Sequence, residues 1–192
     1  MALPLFAILN PRSSILACGG ANHSVKGRYM KTKLLLSVLL AAALITPAWG
    51  KTFKVPDETP VASITVPDSW KSKEIDKGIE AQSGDGEVYF AVEATDAKGL
   101  EKTIEEAVEY LKGEGVTVDA STMKQTEGSV NGMKGVDITW NGKDKEGAAV
   151  ISLTVLEVSD DAALMITYWA SPEGTKKYGK ELGEILNSIK KI

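Results

Sequence analysis

The chain has 192 residues, with 22 Lys and Arg, 26 Asp and Glu, one Cys and one His, and a formal net charge of −4. The Cys and the His, Cys18 and His23, both precede residue 30. The rest of the chain therefore excludes Cys-His and Ser-His-Asp nucleophilic sites, histidine phosphorelay, and ordinary zinc, copper, haem and iron–sulfur sites. It also has no G-x-x-x-x-G-K-S/T phosphate loop. We therefore expect neither a metal site nor a cofactor.

Residues 30–50 have the three parts of a secretory signal peptide: a lysine-containing start, an apolar run, and small residues two apart at Ala48 and Gly50. The apolar run, residues 34–45, is shorter than the roughly 20 residues that a membrane-spanning helix needs. This length favours a cleaved signal peptide over a retained membrane anchor. We predict cleavage between Gly50 and Lys51, export to the periplasm, and no stable membrane insertion of the released chain.

Residues 1–29 carry no acidic side chain and precede this second apparent start at Met30. Two interpretations remain open: a mis-assigned upstream start codon, with translation beginning at Met30, or an extended basic beginning of the signal peptide. Lipidation at Cys18 is a third interpretation. It is disfavoured because Pro11 and Arg12 interrupt the apolar run before the cysteine.

The predicted mature chain, residues 51–192, is long enough for one domain that buries about 70% of its unfolded surface. It contains 17 Lys, no Arg and all 26 acidic residues, a net charge of −9. An acidic chain without arginine is a poor candidate for binding nucleic acid or anionic membranes, since both require clustered cations.

The first half of the mature chain predicts strands followed by a helix. Strand-like segments lie at residues 64–66, 78–83 and 87–95, with a hairpin signal at Gly84-Asp85-Gly86. The apolar period then changes from two residues to that of a helix, with Asp96 as its N-cap. The helical stripe consists of Leu100, Ile104, Ala107, Val108 and Leu111, and Gly113 and Gly115 end the helix.

Four strand-like runs and a second helix follow. The runs cover residues 121–130, 133–141, 148–158 and 162–170, and the first two are joined by the two-residue hairpin turn Asn131-Gly132. Ser171 and Pro172 form a helix start, and the following apolar stripe consists of Tyr178, Leu182, Ile185, Leu186 and Ile189. Together these elements predict an α+β fold in which helices cover both faces of an antiparallel sheet of about six to seven strands.

Three parts of this pattern resemble PsbP-like domains: the early stretch ITVPDSW at residues 64–70, the amphipathic helix at 100–111, and the closing EILNSIK at 184–190. That family includes the extrinsic photosystem II protein, a Ran-binding nuclear import factor and many small bacterial envelope proteins. The resemblance implies an α-β-α layered sandwich over residues 51–192, and a non-enzymatic binding or assembly role. It implies no substrate and no functional residues.

The aromatic side chains are the candidate site. Trp140 and Trp169 are near strand ends, where the mouth of a pocket would be. Aromatic residues are also favoured in half-buried sheet positions, so a purely structural role is the alternative interpretation. The candidate ligand- or partner-binding residues are Trp70, Trp140, Trp169 and Tyr168, with Tyr89 beside them.

Three functions compete on this evidence. The first is a periplasmic, non-enzymatic interaction or assembly module, expected to be a monomer, that binds another periplasmic or membrane-anchored protein. The second is a periplasmic ligand-binding or sensory domain with an aromatic-lined pocket. The third is a hydrolase with paired carboxylates, for which Glu80 and Glu93 are candidates; it is disfavoured because the carboxylates are scattered along the sequence.

The signal peptide gives the first testable prediction. Protein isolated from the exporting cell should begin at Lys51, or at Trp49 if cleavage follows Ala48. Intact-mass measurement and N-terminal sequencing check this. A mature chain that retains residues 1–29 would contradict it.

Overall fold

A computed structural model describes residues 50–192, with the side chains of residues 99–101 excepted. Within this range the chain forms ten strands and two helices. The strands are β1 (Gly50–Val55), β2 (Ala62–Pro67), β3 (Lys71–Ile75), β4 (Gly78–Gln82), β5 (Val88–Asp96), β6 (Thr117–Val130), β7 (Met133–Asp144), β8 (Gly147–Glu157), β9 (Ala162–Ala170) and β10 (Lys190–Lys191). The helices are α1 (Leu100–Gly113), which follows a 3₁₀ turn (Ala97–Gly99), and α2 (Pro172–Asn187).

The strands form two antiparallel sheets. The larger has seven strands in the order β3-β4-β5-β9-β8-β7-β6, and the smaller has the order β1-β2-β10. In the larger sheet, the β3-β4-β5 group joins the β6–β9 meander where β5 pairs with β9, from Val88 opposite Ala170 to Asp96 opposite Ala162. The predicted α+β fold with an antiparallel meander is confirmed.

The central strands of the larger sheet are buried on both faces. Along β9, Leu164, Ile166 and Tyr168 pack into the main core with the small sheet and α2, whereas Met165 and Trp169 point to the opposite face, where α1 packs. The predicted cover of helices on both faces is therefore present. The small sheet shares the layer of α2 and was not predicted from the sequence.

Strands β1, β3 and β10 were not predicted from the sequence. Strand β3 reads KSKEI and shows no apolar alternation, because both its faces are largely open to solvent. Strand β1 overlaps the predicted cleavage site, and β10 has only two residues. Strand β6 also begins at Thr117 rather than Ser121, because its first residues pair at the edge of the sheet with almost no buried side chain.

The predicted cap at Ser171 and turn at Asn131 are present, whereas Asp96 caps a different element from the one predicted. Its carboxylate accepts the Lys98 N–H at 2.8 Å and so caps the 3₁₀ turn that precedes α1, because the α-helix itself begins only at Leu100. The Ser171 hydroxyl accepts the Gly174 N–H at 2.8 Å and caps α2. Asn131 adopts a positive φ of 49°, as a two-residue hairpin turn requires.

A polar cluster is buried on the α2 side of the larger sheet. Asp137 on β7 accepts hydrogen bonds from the hydroxyls of Ser152, at 2.5 Å, and Thr154, at 2.7 Å, on β8. All three side chains are buried, as is Thr139 beside them. Burying a polar group without hydrogen-bond partners costs free energy, and these bonds offset that cost for the Asp137 carboxylate.

The stripe on α2 gives a stability prediction. Leu182 and Ile185 are both buried in the main core. Replacing either with Ala should lower the free energy of unfolding by roughly 2–5 kcal/mol, because each change leaves a cavity. Denaturant titration of the two variants measures this loss. Lys176→Ala, at an exposed position on the same helix, is the matched control. Equal midpoints for all three variants would contradict the assignment of this stripe to the core.

Candidate functional site

A cavity of about 350 Å³ lies between α1 and the larger sheet. Its sheet side is formed by β4, β5 and β9, and its helix side by the face of α1 that carries Thr103, Glu106 and Tyr110. The residues that line it are Ile75, Lys77, Glu80, Tyr89, Ala91, Glu93, Ala94, Thr95, Thr103, Glu106, Ala107, Tyr110, Met165 and Thr167. The cavity therefore combines an apolar base with several polar groups.

The cavity exists because α1 packs on one part of the sheet and the sheet residue beneath the rest of the helix is small. On one side of its contact face, the buried Leu111 packs with Ile151 on β8, and Ala107 packs with Leu153 and Met165. Towards β5, the sheet presents the small side chain of Ala91. An alanine there does not reach the helix, so the gap remains open.

Two carboxylates on neighbouring strands point into this cavity. Glu80 on β4 is opposite Ala91, and Glu93 on β5 is opposite Gly78. Glu80 is already engaged: it pairs with Lys73 at 2.7 Å and accepts the Tyr89 hydroxyl at 3.2 Å. These two glutamates are the possible pair predicted from the sequence, and both line one cavity.

The environment of Glu93 differs from that of Glu80. Burial raises the pKa of the Glu93 carboxyl, and the negative charges of Glu106 and Glu80 raise it further, while the positive charge of Lys77 lowers it. Among residues 50–192, no lysine nitrogen is within 4.0 Å of this carboxylate. Glu93 is therefore a partly buried acid without a direct ion pair in the described part of the chain.

The rings of Tyr89 and Tyr110 form one wall of the cavity, and Trp169 backs this aromatic wall from the far side. Tyr89 stacks on Trp169 with ring centroids 4.0 Å apart, and Tyr110 is 6.3 Å from each of them. The hydroxyls of Tyr89 and Tyr110 are 3.1 Å apart and share a hydrogen bond. Burial raises the pKa of both phenols, so both remain protonated at neutral pH and can donate hydrogen bonds.

A second, more open groove of about 710 Å³ is on the other side of this wall. Tyr89, Tyr110 and Trp169 line it together with charged residues of both signs, among them Lys71, Lys73, Asp144 and Glu146. Glu80 lines both spaces. The aromatic wall thus separates a small, partly apolar cavity from a polar surface groove.

The four aromatic residues predicted as a site do not meet in one place. Trp169 belongs to the wall just described, and Trp140 is half-buried on the same face, against the side chains beneath α1. Trp70 is only 4% exposed in the opposite core and donates its indole N–H to Glu181 at 2.9 Å. Tyr168 is 2% exposed there, with its hydroxyl hydrogen-bonded to Thr175. A binding role for these residues stays a prediction.

Tyr110 and Glu106 line the cavity but were not predicted as site residues. Both are on α1 beside its apolar stripe, where a charged or aromatic residue reads as part of a solvated helix face. The spacing of Tyr110 was the one usable indication: it is three residues after Ala107 and therefore lies at the edge of the apolar face of α1. Without the relative placement of α1 and β5, that spacing could not be linked to Tyr89 or Glu93.

The predicted signal peptide falls mostly outside the described residues. Gly50 and Lys51, which flank the predicted cleavage site, are exposed in β1, and Phe53 is the first buried residue of that strand. Cleavage at this position would leave every buried residue of the described domain in the mature chain. The cleavage itself stays a prediction.

Two further findings concern residues 50–192 alone. No helix in this range has the length and apolar character needed to cross a membrane. In the same range, no three Asp, Glu, His or Cys side chains converge in an arrangement that could hold a metal ion.

Neither a protein-family model nor a curated protein matches this chain. Among solved structures, it is similar to cyanobacterial PsbP (CyanoP) from Synechocystis sp. PCC 6803, with a TM-score of 0.53, 6% identity, and 80% of this chain and 99% of that chain covered. This likeness confirms the PsbP-like fold, and at such low identity it supports the fold alone.

Two other solved structures match more loosely. One is PA94 from Pseudomonas aeruginosa, described as a putative regulator, with a TM-score of 0.39, 12% identity, and 72% of this chain and 94% of that chain covered. The other is LpqN, involved in cell envelope biogenesis of Mycobacterium tuberculosis, with a TM-score of 0.44, 11% identity, and 72% and 88% covered. At these TM-scores neither match supports a conclusion about this chain.

The raised pKa of Glu93 predicts a pH-dependent stability. The folded chain holds the Glu93 proton more tightly than the unfolded chain, whose glutamate titrates near the ordinary value of 4.5. The stability due to this proton is complete below that value, and it is lost as the pH rises through the raised folded value. Glu93→Gln should therefore gain stability relative to the natural chain across this window.

Urea unfolding at intervals between about pH 3.5 and 8 measures the difference between the two proteins. Glu127→Gln, at an exposed glutamate of β6 outside the cavity, is the matched control. A difference between Glu93→Gln and the natural chain that stays constant with pH would show that Glu93 does not titrate abnormally.

Proposed function

We propose that this chain is an exported, non-enzymatic binding protein that takes a small ligand in the cavity between α1 and the larger sheet. The observation that carries the proposal is the cavity itself, about 350 Å³ in volume, with an apolar base and convergent tyrosine, threonine and glutamate side chains. Small-molecule sites in proteins have this size and this mixture of surfaces. The signal-peptide pattern at residues 30–50 supports a periplasmic location.

A non-enzymatic role is favoured by the state of the two carboxylates. Acid–base hydrolysis needs one carboxyl group that donates a proton and a second that is free to act as base or nucleophile. Glu80 is held by Lys73 and by the Tyr89 hydroxyl, so it is poorly placed for the second role. The chain after residue 30 also offers no His or Cys to replace it.

A protein-interaction or assembly module remains the second candidate. It is favoured by the net charge of −9 after residue 50 and by the polar groove of about 710 Å³ beside the aromatic wall. An acidic surface attracts basic partners, and such attraction weakens as salt rises. The partner in this case is another periplasmic or membrane-anchored protein.

Native mass spectrometry of protein purified from the exporting cell tests the ligand role. The natural chain should carry a small molecule in a fixed stoichiometry. Ala91→Leu should lose it, because the larger side chain extends from the cavity floor into the ligand space. Ala120→Leu makes the same exchange at an exposed position of β6 and should retain the ligand.

Two other outcomes would replace this proposal. Photo-crosslinking in the cell from the exposed groove positions 71, 145 and 146 that gives a reproducible protein adduct, with no ligand retained on purification, would favour the interaction module. Turnover of a substrate that Glu80→Gln or Glu93→Gln abolishes would make the chain an enzyme.

A further inference from the structure

We infer that the ligand of the α1 cavity is a small organic cation, whose ammonium group binds beside Glu93 and whose apolar body rests on the cavity floor. This inference depends on the proposed function and adds to it the chemical class of the ligand. It is carried by the cavity geometry, by the distribution of ion pairs around the cavity, and by the chemistry of its walls.

The ion pairs leave one carboxylate uncompensated. Among the described residues, three glutamates line the cavity, and two of them form ion pairs: Glu80 with Lys73 at 2.7 Å, and Glu106 with Lys102 at 3.5 Å. Glu93 has no such contact within residues 50–192. The acidic charge left unpaired in the cavity is therefore concentrated at Glu93.

Burial makes this carboxylate a strong acceptor for a cation. Glu93 is on β5 beneath α1 and is partly withdrawn from water, which is the main cause of its raised pKa. A buried carboxylate gains most when a hydrogen-bonding cation replaces the water it has lost. An ammonium group held there would also offset the repulsion from Glu80 and Glu106.

Within residues 50–192, Lys77 is the one lysine that lines the cavity. Its positive charge acts on Glu93 without a contact within 4.0 Å, and its side chain is exposed. A flexible, hydrated lysine at the rim stabilises the negative charge of Glu93 less than a cation held inside the cavity would. Lys77 therefore leaves the position beside Glu93 open to a ligand.

The remaining surfaces fit the rest of such a molecule. Ala91 and Met165 form an apolar floor on the sheet, Ala107 faces them from α1, and the rings of Tyr89 and Tyr110 form a wall. Aromatic faces attract ammonium groups, and aliphatic carbons pack on alanine and methionine side chains. A cavity of about 350 Å³ suits one small molecule better than a folded segment of a protein.

A matched series of probes tests the charge requirement. Hexylamine, 1-hexanol and hexanoate share a six-carbon chain and differ in carrying a positive, a zero or a negative charge at neutral pH. Isothermal titration calorimetry of the mature chain, freed of any co-purified ligand, should give binding of hexylamine, weaker binding of 1-hexanol and none of hexanoate. Equal affinity for all three, a preference for hexanoate, or no binding of hexylamine would overturn the inference.

Glu93→Gln should weaken hexylamine binding by about tenfold or more, since one charge-assisted hydrogen bond is lost, and should leave 1-hexanol unchanged. Glu127→Gln should bind both probes as the natural chain does. The groups that face Glu93 are Lys77, Glu80 and Glu106, with the phenols of Tyr89 and Tyr110 nearby. Because hexylamine prefers ionised Glu93, its affinity should rise with pH through the Glu93 titration, and Glu93→Gln should flatten this rise.

These outcomes separate the two proposals. Suppose that Ala91→Leu loses a co-purified molecule, but hexylamine, 1-hexanol and hexanoate bind with equal affinity. The ligand-binding function would then stand, and the inference that the ligand is a cation would be wrong. Equal hexylamine affinity in Glu93→Gln and in the natural chain would remove the assignment to this carboxylate. Failure of the function itself would show as a cavity that holds no molecule in the native mass spectrum.

Discussion

The central strands β8 and β9 carry apolar side chains on both faces, and this burial requirement organises the rest of the chain. An antiparallel sheet can leave one face in water only when that face is polar. Here Leu164 and Ile166 need cover on one side, and Met165 and Leu153 need it on the other. The two helices and the small sheet are placed where they meet these two demands.

The two faces of the larger sheet are covered to different extents. Seven strands spaced about 4.8 Å apart form a sheet roughly 29 Å wide, whereas one helix with its side chains is about 10–12 Å across. On the α2 side, a second sheet shares the work of covering the core. On the opposite side, α1 is the element within residues 50–192 that covers the middle of the sheet, and spaces remain along its flanks. The cavity and the groove are those spaces, separated by the aromatic wall.

The α2 side is also bound more firmly by polar contacts. Asp85, in the turn before β5, accepts hydrogen bonds from Lys177 at 2.6 Å and from Tyr178 at 2.9 Å on α2, and from Ser83 at 2.7 Å. The hydrogen bond from Lys177, followed by that from Ser83, holds the pKa of the Asp85 carboxyl well below its usual range. At the other end, the Asn131 amide donates to the carbonyl of Asn187 at 2.8 Å. The α1 face, by contrast, keeps Glu93 without a direct partner in the described residues.

Much of the fold can be predicted from the sequence, because local signals specify it. The Asn131-Gly132 turn, the Ser171-Pro172 helix start and the change of apolar period before α1 each depend on neighbouring residues alone. Strand β3 could not be found in this way, because it is stabilised by pairing with β4 and not by its own pattern.

The candidate site is less predictable for the same reason. Glu93 on β5 and Glu106 on α1 become neighbours only through the distance at which α1 packs on the sheet. Trp70 and Trp169 are both candidates by sequence, yet they lie on opposite faces: Trp70, in the turn between β2 and β3, packs in the main core, whereas Trp169 on β9 faces the α1 side. An aromatic residue near a strand end is therefore a candidate for lining a cavity, but the sequence does not show on which face of the sheet it lies.

The buried hydroxyl–carboxylate cluster has a consequence for how the meander aligns. Strands β7 and β8 pair without a bulge from Gly135 to Asp144, which puts Asp137 opposite Thr154. A shift of one residue between them would move Asp137 to the other face of one strand, away from both hydroxyls. A shift of two residues in one direction would set it against Leu156. A shifted register would thus leave the buried Asp137 carboxylate without its hydroxyl partners, which costs free energy. Apolar side chains can replace one another at such positions, so Asp137 favours the observed register of β7 and β8 more strongly than they do.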